Sequence, residues 1–485
     1  MPPYSSSSLR SLLQWAKKDY AIAAFAFAFT FTILLIYSRH NSTTLQQQQL
    51  FNHLVPLTLL HNANPKGALC LDGSPPGYHF QKGFGSGSRN WLLHIEGGGW
   101  CNSIASCSDR KMTPLGSSKY METEVPLSGI LSSDPSQNPD FFNWNKVKIR
   151  YCDGASFAGH PESEIKKGSG LFFRGQIIWE AIMDELLSIG MSKAKQAFLS
   201  GCSAGGLATL IHCDDFREYF PKKTTVKCLA DAGFFLDEKD ILGNSTMRSF
   251  YHDVVQLQGV VKSLQKDCIA RMEPFKCLFP LEIIKNIKTP VFLVHPAYDF
   301  WQIHNILVPK GSDPHGRWKR CRLNLHDCNA NEIEILHHFR SSLLKAVNEF
   351  QLRKEIGMFI DSCFIHCQTW MGETWHSPNS PKINDKIQPA ADPPHPSPLY
   401  LTTVPRLDMK MQEGCPPMGR GQAEHQPKHF TVADGRWHKG TGLVRMMPEY
   451  GCDGCPRLSR LAAACDGVEG RGKWNERCWV VIRER

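Results

Sequence analysis

The chain has 485 residues, of which 42% are hydrophobic and 21% charged, and a formal net charge of +9. These proportions describe a globular protein with one large or two average domains and exclude a disordered or fibrous chain for most of the length. The basic excess is spread out, without the dense Lys/Arg run that tracks phosphates, so nucleic acid is not an expected partner; such an excess suits a plain solvated surface or the steering of a polyanionic substrate.

Residues 1–19 carry Arg10, Lys17 and Lys18 ahead of an uncharged apolar stretch from Tyr20 to Tyr37. That stretch is at the short end for a bilayer span and long for a signal-peptide core, and no small-x-small cleavage site follows it before Arg39. It reads as a signal-anchor with residues 1–19 cytosolic and the remainder lumenal. A cleaved signal peptide is the alternative, and both enter the secretory pathway. Residues 38–67, with Gln46–Gln49, read as a polar stem. The 18 cysteines are dispersed, which fits structural disulfides in an oxidising compartment, although their pairing cannot be read. Asn41-Ser42-Thr43 and Asn244-Ser245-Thr246 are possible glycosylation sites.

From Ala68 short apolar runs alternate with helical patterns. Strands are predicted at Trp91–Ile95, Lys146–Tyr151, Gln196–Leu199, Lys227–Ala230, Val291–Val294 and Gly357–Ile360. Helices are predicted at Ile177–Leu187, from about Ala204, and at His337–Phe350. This alternation implies an α/β fold with a mainly parallel sheet covered by helices on both faces, and ligand sites at the carboxyl ends of the strands. The pattern runs over 68–386. Residues 387–485 lose periodicity, carry five prolines between Pro389 and Pro398, and read as a poorly structured tail. Its Cys452-x-x-Cys455 has no second pair at zinc spacing.

Chemistry gathers at predicted strand ends. Gly201-Cys202-Ser203-Ala204-Gly205 lies between a strand and a helix, where a sharp turn exposes a serine hydroxyl and small neighbours leave room for it. Upstream, Glu96-Gly97-Gly98-Gly99-Trp100 follows the WLLHI strand, as does the glycine loop that supplies an oxyanion donor in esterases; the N–H of Ala204 would be a further donor. The order serine, acid, histidine then favours Asp299, beyond VFLV, and His366, beyond GMFI. Asp231 competes for the acid role. His295 and His304 rank below His366, and His212 reads as structural. Cys202 is a possible nucleophile, but a structural disulfide fits its position better.

Cys70–Pro76 (CLDGSPP), HIEGGGWC ending at Cys101, RYCDG ending at Gly154, SGCSAGG ending at Gly206, DAGFF ending at Phe235 and DSCFIHCQT ending at Thr369 together resemble the plant pectin acetylesterases. The animal carboxylesterase Notum is more distantly similar. The resemblance covers about Ala68 to Lys386 and implies an α/β-hydrolase fold with Ser203, Asp299 and His366 as triad. It also implies Gly99, Trp100 and Ala204 as oxyanion donors, no metal or organic cofactor, and acetylated cell-wall pectin as substrate. From Ile387 onward the chain departs from the family pattern, as a mis-spliced transcript or faulty gene model would, and 13 cysteines, an odd number, precede that point. The expected function is pectin deacetylation through an acetyl-serine intermediate, in the cell wall or extracellular space or as a retained single-pass membrane protein. The alternatives are an esterase for a longer or lipid acyl group, or an inactive polysaccharide-binding protein.

Overall fold

The computed structural model describes residues 54–161 and 170–375, together with Thr32. The rest of the apolar stretch 20–37, the sequon at Asn41, the tail 387–485 and its Cys452/Cys455 pair lie outside the described residues. Contacts divide the chain into Met1–Leu54 and Val55–Arg485, and the architecture below belongs to the second unit apart from the first residue of its leading strand. Among the described residues no helix is long and apolar enough to cross a membrane.

Among the described residues, nine strands form one sheet: β1 (Leu54–Leu59), β2 (Gly77–Gln81), β3 (Asn90–Ile95), β4 (Glu124–Pro126), β5 (Asn145–Ile149), β6 (Gln196–Cys202), β7 (Thr225–Asp231), β8 (Val291–Pro296) and β9 (Ile356–Asp361). Their order is β4-β1-β2-β5-β3-β6-β7-β8-β9. From β5 to β9 every pairing is parallel, while β1–β2 and β2–β5 are antiparallel. The predicted parallel core is present, and each predicted strand is found with its ends moved by a few residues. The antiparallel edge is an addition. It overlaps the predicted stem, because β1 starts at Leu54 and pairs Leu57 with His79.

The central strands are apolar almost without a break because both faces of the sheet are buried. On β3, Trp91, Leu93 and Ile95 enter one cluster and Leu92 the other; on β8, Val291 and Leu293 oppose Phe292 and Val294. Crossover handedness accounts for what covers each face. The steps β5 to β6, β6 to β7, β7 to β8 and β8 to β9 all advance toward the same edge, so right-handed connections put their helices on the same face. The four long helices, α1 (Gly175–Ser188), α2 (Ala204–Glu218), α3 (Thr246–Gln258) and α4 (Ala330–Asn348), accordingly feed one cluster through Trp179, Leu207, Tyr251 and Leu336. The step from β3 back to β5 runs the other way. Its connection covers the second face with Ile130, Leu131, Phe141 and Trp144, joined by Trp375 from beyond β9. This is the α/β-hydrolase arrangement.

Local chemistry explains two helix boundaries. α4 starts earlier than its apolar periodicity suggests because Asn329 caps it and Glu332 returns a bond to the Asn329 backbone. α3, absent from the predicted elements, begins after Asn244, which is exposed within its sequon.

One buried histidine gives the fold a pH signature. His94 on β3 is bonded through Nδ1 to Ser200 Oγ on β6 at 2.9 Å, and burial pushes its pKa down to about 3. The folded chain therefore keeps His94 neutral while the unfolded chain protonates it below about pH 6.5, so this contribution to stability is present above that pH and is lost as pH falls toward about 3. The loss is ~1.4 kcal/mol per pH unit within the window. Replacing His94→Gln should flatten the acid side of the stability curve, read as urea midpoints at about pH 6.5 and about pH 4.5. An unchanged slope would show that His94 is not the group responsible.

Candidate active site

β6 runs into Cys202, Ser203 forms the turn, and α2 begins at Ala204. Ser203 has φ 59° and ψ −125°, a left-handed conformation that costs a non-glycine residue ~1–3 kcal/mol. Its N–H donates to Asp231 O at 2.8 Å and its carbonyl accepts from Leu207 N at 2.9 Å, which hold the turn. The neighbouring glycines answer to space. A Cβ on Gly205 would lie 2.3 Å from Ile95 O, and one on Gly97 would lie 2.9 Å from Ser203 Cβ. The Gly97 contact seats the upstream glycine loop directly against the serine.

Asp299 and His366 lie against each other. Asp299 follows β8 and caps a short turn, its Oδ1 accepting from Trp301 N at 2.8 Å and Gln302 N at 3.2 Å. His366 Nδ1 lies 2.9 Å and 2.8 Å from the two Asp299 carboxylate oxygens. A nitrogen facing a carboxylate in this way donates, which leaves Nε2 as the basic atom of the ring. Nε2 is buried and forms no hydrogen bond among the described residues, to Ser203 Oγ or to any other atom.

The competing groups are engaged elsewhere. Asp231 Oδ2 accepts from Gln368 N, Thr369 N and Thr369 Oγ1, all at 2.7 Å, so it grips the loop after His366 and does not touch the ring. Burial pushes its pKa up to about 6. Asp361 holds the same loop, accepting from Cys363 N at 2.9 Å and Gln368 Nε2 at 2.5 Å, and burial likewise raises it to about 6. His295 bonds Gln302 at 2.8 Å and is pushed by burial to about 4, hence neutral. His304 bonds Arg322 O, and His212 bonds Phe157 O at 3.1 Å under Trp179. Cys202 is bridged to Cys367 across a sequence separation of 165, which removes it as a thiol and fastens the serine turn to the residue after His366. Among the described residues, five further bridges are formed: Cys70–Cys152, Cys101–Cys107, Cys213–Cys228, Cys268–Cys277 and Cys321–Cys328.

The glycine loop turns through Gly98 (φ 140°) and Gly99 (φ 63°). The Gly98 carbonyl accepts from Arg110 Nη1 at 2.7 Å and the Gly99 carbonyl from Tyr151 OH at 2.9 Å. The N–H groups of Gly99, Trp100 and Ala204 donate to no described residue. A Cβ on Gly99 would meet nothing within 4 Å, so the loop faces open space there. Arg110 and Tyr151 were not legible as site residues, because nothing in their sequence surroundings marks a contact with the loop.

An aromatic wall closes one side. The Trp100 ring packs edge-on against Phe235 at 4.8 Å, Tyr251 at 5.2 Å and Trp301 at 5.7 Å. Trp301 lies nearly parallel to the His366 ring at 6.0 Å, with Phe300 edge-on at 5.7 Å. Sequence patterning shows aromatic residues here but not that they converge on one ring.

A family model described as Pectinacetylesterase matches residues 48–391. Among curated proteins, the chain is 58% identical over 386 residues to pectin acetylesterase 5 of Arabidopsis thaliana, covering 78% of this chain and 90% of that protein. It is 46% identical over 337 residues to pectin acetylesterase 7 of the same plant, covering 69% and 86%. The human palmitoleoyl-protein carboxylesterase NOTUM is 32% identical over 269 residues, 53% of each chain.

The Cys202–Cys367 bridge closes a long loop, so removing it should cost roughly 2–4 kcal/mol in a denaturant midpoint. In a Cys202→Ala, Cys367→Ala variant, amide exchange should quicken most over residues 362–369. Uniform exchange across the sheet would instead mean that the bridge stabilises the whole domain without specifically fixing the His366 loop.

Proposed function

The chain belongs to the pectin acetylesterase family, and on that premise we propose that it removes acetyl groups from cell-wall pectin through an acetyl-Ser203 intermediate. As a carboxylic ester hydrolase it needs a nucleophile, a proton carrier and a site for negative charge. Ser203 Oγ attacks the acetyl carbonyl while His366 Nε2 takes its proton. Asp299 keeps the other ring proton on Nδ1 and stabilises the imidazolium. The carbonyl oxygen becomes an oxyanion received by the N–H groups of Gly99, Trp100 and Ala204. On collapse, the sugar oxygen leaves with the proton from His366. Water, deprotonated by His366, then attacks the acetyl-serine, and acetate departs as Ser203 regains its proton.

The observation that carries this reading is the 2.8–2.9 Å pair between Asp299 and His366, on a loop cross-linked to the residue before Ser203. It favours an active enzyme over a polysaccharide-binding protein that has lost its chemistry. The wall of Trp100, Phe235, Tyr251 and Trp301 favours a small acyl group over a fatty one, since their rings pack against one another beside His366. We take the catalytic domain to begin with β1, ahead of Ala68. The six disulfides among its described residues suit an oxidising, extracellular site of action, with the apolar stretch 20–37 as the segment that directs the chain there.

Purified parent enzyme should release acetate from acetylated pectin, and Ser203→Ala should fall to background; equal release by both would overturn the nucleophile. Exchanging Asp299→Asn should lower kcat by roughly 10⁴-fold, because the ring loses its fixed tautomer. Asp231→Asn should cost far less, and the reverse ranking would make Asp231 the partner of the histidine. Trimming the wall with Phe235→Ala should raise the rate on an octanoyl ester relative to an acetyl ester of the same alcohol. An unaltered ratio would mean that Phe235 does not limit the acyl chain.

A further inference from the structure

The glycine loop must present N–H groups to a reacting oxygen, and glycines by themselves do not choose which way a peptide faces. A peptide unit is planar and trans, so its C=O and N–H point in opposite directions. Fixing a carbonyl therefore fixes the N–H of the following residue. The carbonyl of Gly98 shares a peptide with the N–H of Gly99, and the carbonyl of Gly99 with the N–H of Trp100. The first carbonyl is held by Arg110 Nη1 at 2.7 Å and the second by Tyr151 OH at 2.9 Å. Each of the two N–H groups is thus turned away from its anchor and donates to no described residue.

We propose that Tyr151 is a positioning residue for the oxyanion site, assisted by Arg110, and that the two select the peptide orientation in which Gly99 and Trp100 can receive the developing charge. The inference rests on the ester-hydrolysis reading and adds to it the residues that preorganise the donors.

The surroundings of Tyr151 suit this task. The ring is fully buried, with the Arg110 guanidinium over its face at 4.9 Å. Its hydroxyl accepts from Ser156 N at 2.8 Å, which directs its single proton to Gly99 O. Burial raises the phenol pKa well above its ordinary value, so the proton stays in place across the working pH range. Ser156 extends the network to the other half of the site. Its Oγ accepts from Trp100 Nε1 at 2.7 Å and donates to Ala204 O at 2.8 Å, joining the loop to the start of α2. Ser156 (φ 55°) and Phe157 (φ 58°) are both left-handed non-glycine residues, a conformation that persists only where the surroundings impose it. Asp153 imposes it here, its Oδ2 accepting from Ala155 N at 3.1 Å and Phe157 N at 3.0 Å. The bonds from Ser156 N through Tyr151 OH to Gly99 O, and from Trp100 Nε1 through Ser156 Oγ to Ala204 O, thus each run from donor to acceptor without a break.

The test is Tyr151→Phe, which keeps the ring and removes the hydroxyl. Deleting an oxyanion donor outright costs about 10²–10³ in kcat; loss of its anchor should cost roughly ten- to a hundredfold, with KM within about twofold of the parent. The inhibition constant of a trifluoromethyl ketone, which forms a tetrahedral adduct on the serine, should rise by the same factor as kcat falls. Arg110→Met should give the same signature and serves as the second variant should Tyr151→Phe not fold. Unchanged kcat in a folded Tyr151→Phe, or a loss that follows melting temperature and spares inhibitor affinity, would overturn the positioning role while leaving Ser203 as nucleophile. If parent and Ser203→Ala behave alike toward the ester and the ketone, the underlying reading falls and this inference falls with it.

Discussion

The His366 loop has to be held against a serine turn that lies three strands away across the sheet. Four neighbouring strand ends share that task. From β6, Cys202 supplies a disulfide to Cys367; from β7, Asp231 accepts the backbone of Gln368 and Thr369; from β8, Asp299 accepts the His366 ring; from β9, Asp361 accepts the Gln368 side chain. In a parallel sheet all these ends open on the same edge, so residues remote in sequence meet without a long excursion of the chain. The catalytic reading depends on this convergence, since a base set loosely by even an ångström loses most of its advantage.

Three carboxylates at these strand ends therefore divide two tasks. Asp299 alone touches the ring. Asp231 and Asp361, both raised to about 6 by burial, are bound by loop donors and act on the position of the backbone. The aromatic residues around Trp100 and Trp301 keep water from one side of the ring and lower the local dielectric, which strengthens each of these interactions. The peptide planes of the glycine loop are set by Tyr151 and Arg110. The site is thus built as a supported shell, with few of its essential groups resting on their own conformational preference.

What the sequence made legible was local. The Gly-Cys-Ser-Ala-Gly turn, the Glu-Gly-Gly-Gly loop and the apolar strands before them each carry their signal within a few residues. Chain order then singled out Asp299 and His366. The disulfide partners were not legible, because pairing depends on loops meeting in space; among the described residues, six bridges join residues 6 to 165 positions apart in sequence. β1, β2 and β4 escaped because β4 is only three residues long and β1 and β2 are partly exposed, so none has the continuous apolar run of a doubly covered strand. Tyr151 read only as the last residue of a strand, and its bond to Gly99 exists only once β5 lies beside β3. The motifs named the family; the hydrogen bonds that make the motifs work came from topology.

The claim at the centre of this account is that Ser203 itself carries the acetyl group. The most direct measurement is acid quench of the enzyme during turnover of an activated acetyl ester, followed by proteolysis and mass spectrometry. The account predicts one acetyl group on the peptide containing Ser203, localised to that side chain. An acetyl group carried by a different residue, or full turnover in which no residue is ever acetylated, would contradict it.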